Sequence, residues 1–420
     1  MKKLLIFLLL FLFWPFILIA DPTELRSWKS TSGHSIKAKA LKVENGKVHL
    51  KREDGRVVKV PLSKFVEADE IFLTKHFKLS KNTAGGSSVS KPDEGESADD
   101  LPYPLGKVTS EVECGDGAHC YLYFPKSLRK GAKHPILFIM SPGGGNPGIA
   151  RRYMDGAERN RWILAVSKQS KNGYKGSGDA VMAMIKYATS TLPIDERRMY
   201  TSGMSGGSFM AYWTSQQEKK IAGIIACGAG ASTGSKKQVV YGLCGTNCFN
   251  RTGMAASFKK VSHKGAILRY FEGQHVWADK QLCDDAITHL NGVFLAENQP
   301  DYQDEYKHYI YQLGELIKSA QANDAKRAYM WADFMQRYDM KHPDASKALS
   351  QLGGDEANRA FVKGLYDIRK FAEKQFGDNP ASQWKIAPKV SSACVREAKK
   401  YAGSYWENIL MKMSENAKKF

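Results

Sequence analysis

A serine hydroxyl becomes a useful nucleophile only when the fold lifts it clear and a neighbouring base takes its proton. The stretch Arg198-Met199-Tyr200-Thr201-Ser202-Gly203-Met204-Ser205-Gly206-Gly207-Ser208-Phe209 has the residues for the first half of that task. It reads as a short strand, a turn crowded with glycine, then a helix. Gly203, Ser205 and Gly207 fit the G-x-S-x-G elbow, which raises a serine at the end of a sheet strand. The helix that follows would favour negative charge developing beside Ser205. With 37 glycines in the chain the pattern alone is weak, and an ordinary strand–helix turn is the plainer reading. A glycine triplet upstream, Gly143-Gly144-Gly145, makes the context richer, although it too can be only a tight turn.

Such residues need elements to hold them. At 420 residues and 43% apolar content, the chain is long enough for two or three domains with a sizeable core. Strand candidates between 101 and 300 are Val108–Glu113, Tyr121–Phe124, Ile136–Met140, Ile163–Val166, Arg198–Ser202, Ile221–Ala226, Val239–Leu243 and Ile267–Phe271. The first two read as an antiparallel hairpin. The later ones are separated by helix-length stretches such as Asp179–Thr191, as a parallel sheet requires. This predicts an α/β domain over 101–300.

The flanking segments differ in character. Lys2 and Lys3 precede an uncharged apolar run from Leu4 to Ala20, the layout of a signal peptide over 1–20. An uncleaved N-terminal anchor is the alternative, and it would be the chain's one membrane contact. Either way a secreted or periplasmic location is expected. Residues 25–78 show short alternating runs with Asn45-Gly46 and Asp54-Gly55 at tight turns, which predicts a small β-barrel. Trp28 there is either a core or rim aromatic or a ligand platform. Residues 79–100 are rich in Gly, Ser and charge, a flexible linker. Residues 301–420 read as all-helical. Tyr302, Tyr306, Tyr309, Leu313 and Leu316 share one face, as do Phe361, Leu365, Ile368 and Ala372. Val395, Ala398, Ala402, Tyr405 and Ile409 recur at near-heptad spacing. These stripes predict a helical appendage packed on the preceding domain or on a partner.

Charge and cysteines narrow the classes. Lys+Arg 62 against Asp+Glu 43 leaves +19, which can favour acidic polymers or anionic headgroups. No basic run interleaved with aromatics points to nucleic acid. Seven cysteines leave at least one thiol without an intrachain partner. Cys114 and Cys120 bracket a turn they can clip together, and Cys244, Cys248 and Cys283 are further disulfide candidates. Their spacing gives no zinc pattern, and no metal or other cofactor is expected.

Two resemblances add to this. Arg26-Ser27-Trp28, Gly33, Val48-His49-Leu50-Lys51, Asp54-Gly55, Val60-Pro61-Leu62, Asp69 and Ile71 resemble the Sla-type homology domain, a small SH3-like barrel. In that family the barrel is implied to bind short peptide motifs, so a peptide or protein ligand is an expectation here. The strand order, elbow and glycine triplet of 101–300 resemble the α/β-hydrolase fold, close to secreted esterases of the feruloyl-esterase and polyhydroxybutyrate-depolymerase type. That resemblance implies Ser205 as nucleophile and His275, in Gly273-Gln274-His275-Val276-Trp277, as its base; by itself His275 can equally be a surface-loop histidine. It implies backbone N–H groups of Gly144, Gly145 and Gly206 as oxyanion donors. It implies carboxylic esters as substrate, with acyl groups on polysaccharide as one form. Tyr212, Trp213 and Trp277 can stack on sugar rings or belong to the core.

The acid is where the sequence departs from that pattern. The family often has Gly-x-x-Asp-x-Asn after the strand at 239–243, and the aspartate's place falls on Cys248. No Asp or Glu occurs between Gly242 and Ser262. Asn247 or Asn250 can orient His275 without charge, or Glu272 or Asp279 can reach it from another side; otherwise the domain has lost most turnover. Cys248 itself is expected as a disulfide half, with Cys244 or Cys283, before an acid surrogate. Two readings follow: a serine ester hydrolase with a binding barrel, or a binding protein that keeps the hydrolase fold as a scaffold.

Overall fold

The computed structural model describes residues 24–30, 33–44, 47–61, 64–66, 68–69, 72–73, 77, 91–92, 96–98, 101, 103–376 and 383–417. They divide into two compact units, Met1–Ser88 and Val89–Phe420. The leader read at 1–20, the Asn45-Gly46 turn and most of the linker read at 79–100 lie outside the described residues. No described helix is long and apolar enough to cross a membrane.

In the first unit, β1 (Arg26–Lys29), β2 (Ser35–Glu44), β3 (Lys47–Arg52) and β4 (Val57–Pro61) form an antiparallel sheet in chain order. The alternation seen in the sequence puts Ala38, Ala40, Val48 and Leu50 on one buried face around Trp28. Trp28 is a core residue: it is fully buried, its Nε1 donates to the Ala38 carbonyl at 2.8 Å, and its ring meets Phe65 edge-on. An isolated bridge joins Ser30 to Phe65, beyond β4. Arg26 lies over the Trp28 ring and pairs with Asp69 at 2.7 Å.

The second unit is built on eight strands: β5 (Val112–Gly115), β6 (Ala118–Tyr123), β7 (His134–Met140), β8 (Ile163–Ser167), β9 (Ile194–Met204), β10 (Ile221–Cys227), β11 (Val239–Gly245) and β12 (Ile267–Phe271). Their order across the sheet is β12-β11-β10-β9-β7-β8-β6-β5. β5–β6 and β6–β8 pair antiparallel, and the other pairs are parallel. The central strands are apolar without alternation because helices cover both faces. This is the strand order of the α/β-hydrolase fold, with the elbow leaving the fifth strand of the eight. The helices among the strands are α1 (Pro147–Ala150), α2 (Met154–Asn160), α3 (Ser177–Thr191), α4 (Gly206–Gln217), α5 (Arg251–Phe258) and α6 (Lys280–Glu297).

The remaining helices are α7 (Gln303–Asn323), α8 (Ala325–Arg337), α9 (Pro343–Leu352), α10 (Glu356–Phe376), α11 (Gln383–Ala398) and α12 (Tyr405–Ala417). The stripe Phe361, Leu365, Ile368 and Ala372 of α10 is buried, and it joins the same hydrophobic core as the sheet. Polar ties reinforce the packing. Tyr309 Oη donates to the Thr288 carbonyl at 3.0 Å, Tyr405 Oη to that of Tyr270 at 2.7 Å, and Arg369 to the carbonyls of Phe258 and Ala266 at 3.0 and 3.4 Å. The near-heptad stripe from Val395 to Ile409 does not run along one helix. A 3-10 turn at Lys399–Tyr401 and the left-handed Gly403 (φ 71°) separate α11 from α12.

Candidate active site

The elbow forms because β9 must reverse into α4 within three residues. Ser205 sits at the reversal with φ 54° and ψ −119°, a backbone region that side-chain-bearing residues avoid and functional sites hold under strain. Its N–H donates to the Cys227 carbonyl at 2.9 Å, which anchors the turn on β10. The two flanking glycines are steric necessities. A Cβ on Gly203 would stand 2.2 Å from the Gly207 carbonyl oxygen, and one on Gly207 would stand 2.3 Å from that of Met140. The end of β7 therefore lies directly against the first turn of α4.

His275 approaches from the loop after β12, and that loop is fastened to the one after β11. Thr246 donates to the Phe271 carbonyl at 2.9 Å and Asn247 to that of Gly273 at 2.8 Å. The half-buried imidazole places Nε2 2.7 Å from Ser205 Oγ. Its ring is bounded by Gly228, whose absent Cβ would stand 3.3 Å from Nδ1, and by the Phe249 ring at 3.9 Å between centroids.

On the far side of the ring, Nδ1 lies 3.0 Å from Cys248 Sγ. This corrects the disulfide expected for Cys248. The turn that hydrogen-bonds the Cys248 N–H to the Gly245 carbonyl at 3.0 Å aims the sulfur at the imidazole. The Cys244 thiol donates to the Gly245 carbonyl at 3.6 Å; its influence above all holds the Cys248 pKa down at about 6, with His275 and the Asn250 backbone adding to it and burial opposing it. Burial pushes Cys244 the other way. All seven cysteines are free thiols: Cys114 and Cys120 meet at 3.1 Å as a thiol contact, and Cys283 turns to the Ala278 carbonyl.

Among the described residues no carboxylate replaces the missing acid. Glu272 pairs with Lys412 at 3.6 Å, and Asp279 caps α6 through the Leu282 N–H at 2.8 Å. Asn250 donates its side-chain amide to the Gly228 carbonyl at 3.0 Å, and no hydrogen bond joins the Asn247 side chain to the imidazole. Among the described residues no ion pair reaches His275 or Cys248, and no group of acidic, His and Cys side chains is arranged to hold a metal.

Two further expectations change. The Gly144 and Gly145 N–H groups donate inward, to the carbonyls of Ser141 at 3.1 Å and Lys168 at 3.2 Å. Among the described residues the N–H groups of Gly143 and Gly206 make no turn or loop hydrogen bond to a backbone carbonyl. Tyr212 is fully buried in α4 and lines no surface. Trp277 is half-buried, with its ring edge-on to Tyr153 and Arg152 5.9 Å from its centroid, contacts that leave the stacking expectation as it stood.

Sequence reasoning passed over the apolar rim. Tyr174, Phe209, Phe249 and Val276 are 45–60% exposed. Phe209 lies one turn along α4 from Ser205, and Phe249 and Val276 flank Cys248 and His275. Asn172, exposed, carries its side chain against Gly206. A signal existed, in that Phe249 and Val276 adjoin the candidate residues in sequence. A cavity of about 750 Å³ lined by Arg197, Lys219, Lys237 and His263 lies at the opposite, N-terminal end of the strands.

A family model, SLA1 homology domain 1, matches residues 19–81. No curated protein matches the chain. Among solved structures, it is similar to the Staphylococcus aureus fluorophosphonate-binding serine hydrolase FphF, at 11% identity and TM-score 0.36, over 44% of this chain and 99% of that one. An esterase from the archaeon Pyrobaculum calidifontis aligns at 11% identity and TM-score 0.37, over 46% and 87%. A ferulic acid esterase aligns at 14% identity and TM-score 0.34, over 43% and 93%. The chain carries a segment, residues 19–81, that matches the SLA1 homology domain 1 model, and its second unit has the α/β-hydrolase fold by its strand order.

Proposed function

We propose that the second unit is a serine ester hydrolase. The observation that carries this is Ser205, raised on a strained elbow with Oγ 2.7 Å from His275 Nε2. Ser205 Oγ attacks the ester carbon while its proton passes to Nε2. The oxyanion takes hydrogen bonds from the Gly206 N–H, at the N-terminus of α4, and from that of Gly143; one such donor is worth about 2.7–4 kcal/mol. Collapse expels the alcohol, which receives the proton from the imidazolium and leaves an acyl-serine. Water then attacks the acyl group, gives its proton to Nε2, and releases the acid as Ser205 is reprotonated.

The rim of Phe209, Phe249 and Val276 supports an apolar or aromatic group beside the scissile bond. Phe209, Phe249 and Val276 are themselves 48–60% exposed, which favours an ester carried on a polymer over a buried lipid chain. The Lys2-Lys3 start and apolar run to Ala20 support export. The scaffold reading draws on one observation, the lack of a carboxylate on His275.

A fluorophosphonate probe and p-nitrophenyl acetate separate the two. Wild-type protein is expected to label and turn over, and Ser205→Ala to lose both, with a drop in kcat of up to about 10⁶. Wild-type protein that does neither is a scaffold.

A further inference from the structure

We propose that Cys248 acts as a thiolate in place of the missing carboxylate, as the positioning residue that sets the His275 tautomer for Ser205. This rests on the hydrolase reading above. The sulfur is the polar atom facing Nδ1, at 3.0 Å, on the side of the ring opposite Ser205. It is fully buried, so it is shut off from substrate and cannot itself be the nucleophile. Besides Nδ1, the sulfur meets the Gly228 carbonyl at 3.7 Å; the Cys244 thiol, then His275 and the Asn250 backbone, favour its anion, and burial opposes it. The titratable or charged groups round it are Cys227 on β10, Cys244 on β11, Tyr270 on β12, Arg251 on α5 and His275. None of these is a carboxylate.

Counting protons shows what this requires. Ser205 needs a lone pair on Nε2, so the ring must carry its proton on Nδ1. With two protons on the Cys248–His275 pair, two arrangements fail. A thiol donating to Nδ1 forces the ring proton onto Nε2, and a thiolate beside a doubly protonated ring leaves no lone pair there. A thiol that merely accepts from Nδ1–H holds the ring weakly. Losing one proton leaves a thiolate, Nδ1–H and a free Nε2. The ionisation that switches activity on therefore belongs to the pair. A carboxylate ionises well below neutrality, and with one in this place the acid limb of the pH profile lies lower, because the neutral thiol form no longer competes.

The experiment compares Cys248→Ser, Cys248→Ala and Cys248→Asp with wild type by kcat against pH, and follows the ultraviolet absorbance of the thiolate. The serine and alanine variants are expected to lose roughly 10²–10⁴-fold in kcat, as for an uncharged residue in a triad. The aspartate variant is expected to keep activity within about tenfold of wild type, with its acid limb at lower pH. Wild type is expected to show thiolate absorbance at neutral pH that Cys248→Ser lacks. Thermal unfolding of each variant separates loss of the fold from loss of the charge. Serine or alanine variants that stay folded with wild-type kcat and pH profile overturn the proposal. So does an active wild type whose Cys248 is joined to Cys244. If Ser205 proves unreactive the hydrolase reading fails and the positioning role fails with it; a proposal that fails alone is seen in an active wild type with unaffected Cys248 variants.

Discussion

Two polar clusters within one unit make opposite use of acid. On α6, Asp284 and Asp285 are buried and saturated by cations. Asp285 pairs with Arg269 and Arg327, each at 2.8 Å, and Asp284 with Arg327 at 2.7 Å and with Arg159. Those arginines stand on β12, α8 and α2, so the cluster ties the sheet to its helices. At the strand ends, by contrast, the imidazole of His275 meets a hydroxyl and a sulfur, with no carboxylate. Paired carboxylates inside the protein lock one packing arrangement, because a buried charge without its partner is costly. A half-exposed site that must move a proton needs a partner whose charge is held by hydrogen bonds and can change.

That contrast can be broken most forcefully at the buried cluster. Asp285→Ala leaves Arg269 and Arg327 facing each other without their shared anion. It is expected to cost about 3–5 kcal/mol in denaturant-induced unfolding. Ser205 labelling of the folded fraction should be unchanged, since the cluster makes no contact with the site. A labelling rate that fell in step would mean the two regions are one functional unit.

Gly207→Ala has the reverse profile. Its methyl would collide with the Met140 carbonyl oxygen, which is backbone and cannot swing aside. The stability cost should be smaller, about 1–3 kcal/mol as for other overpacked sites. The turn must shift, however, and kcat should fall at least about tenfold, since placement of reacting atoms is sensitive at the ångström scale. Unchanged kcat in this variant would show that the elbow is not the reacting element. The smallest effect is expected at Phe249→Ala. Losing the ring over His275 should raise KM for aromatic esters by about tenfold or less, an aromatic contact of roughly 0.5–1.5 kcal/mol. Acetyl esters should be affected less, and equal effects on both would make Phe249 a support for His275 and not a substrate contact.

Legibility in the sequence followed the range of the interaction. The elbow was readable because its residue types announce it: Gly203 is barred from bearing a Cβ by Gly207 four residues on, although the bar on Gly207 comes from Met140 on β7. The buried stripe of α10 was readable because helical periodicity marks a face whatever covers it. The fate of Gly145 was not, since the Lys168 carbonyl that engages it arrives with β8; Gly144 turns back locally, onto Ser141, in a tight turn that glycine spacing alone does not specify. The burial of Tyr212 was not either, because α4 presents aromatic residues to both the core and the surface.

Cys248 shows where the boundary falls. By itself the chain dictated the glycine-flanked serine, a histidine after the last strand, and the lack of any acid in the loop between them. Only the tertiary structure decided that the sulfur at 248 turns to the imidazole and not to another cysteine. The reason is geometric: hydrogen bonds from Thr246 and Asn247 to the loop carrying His275 bring together residues 27 positions apart, and no local pattern encodes which atom will face which.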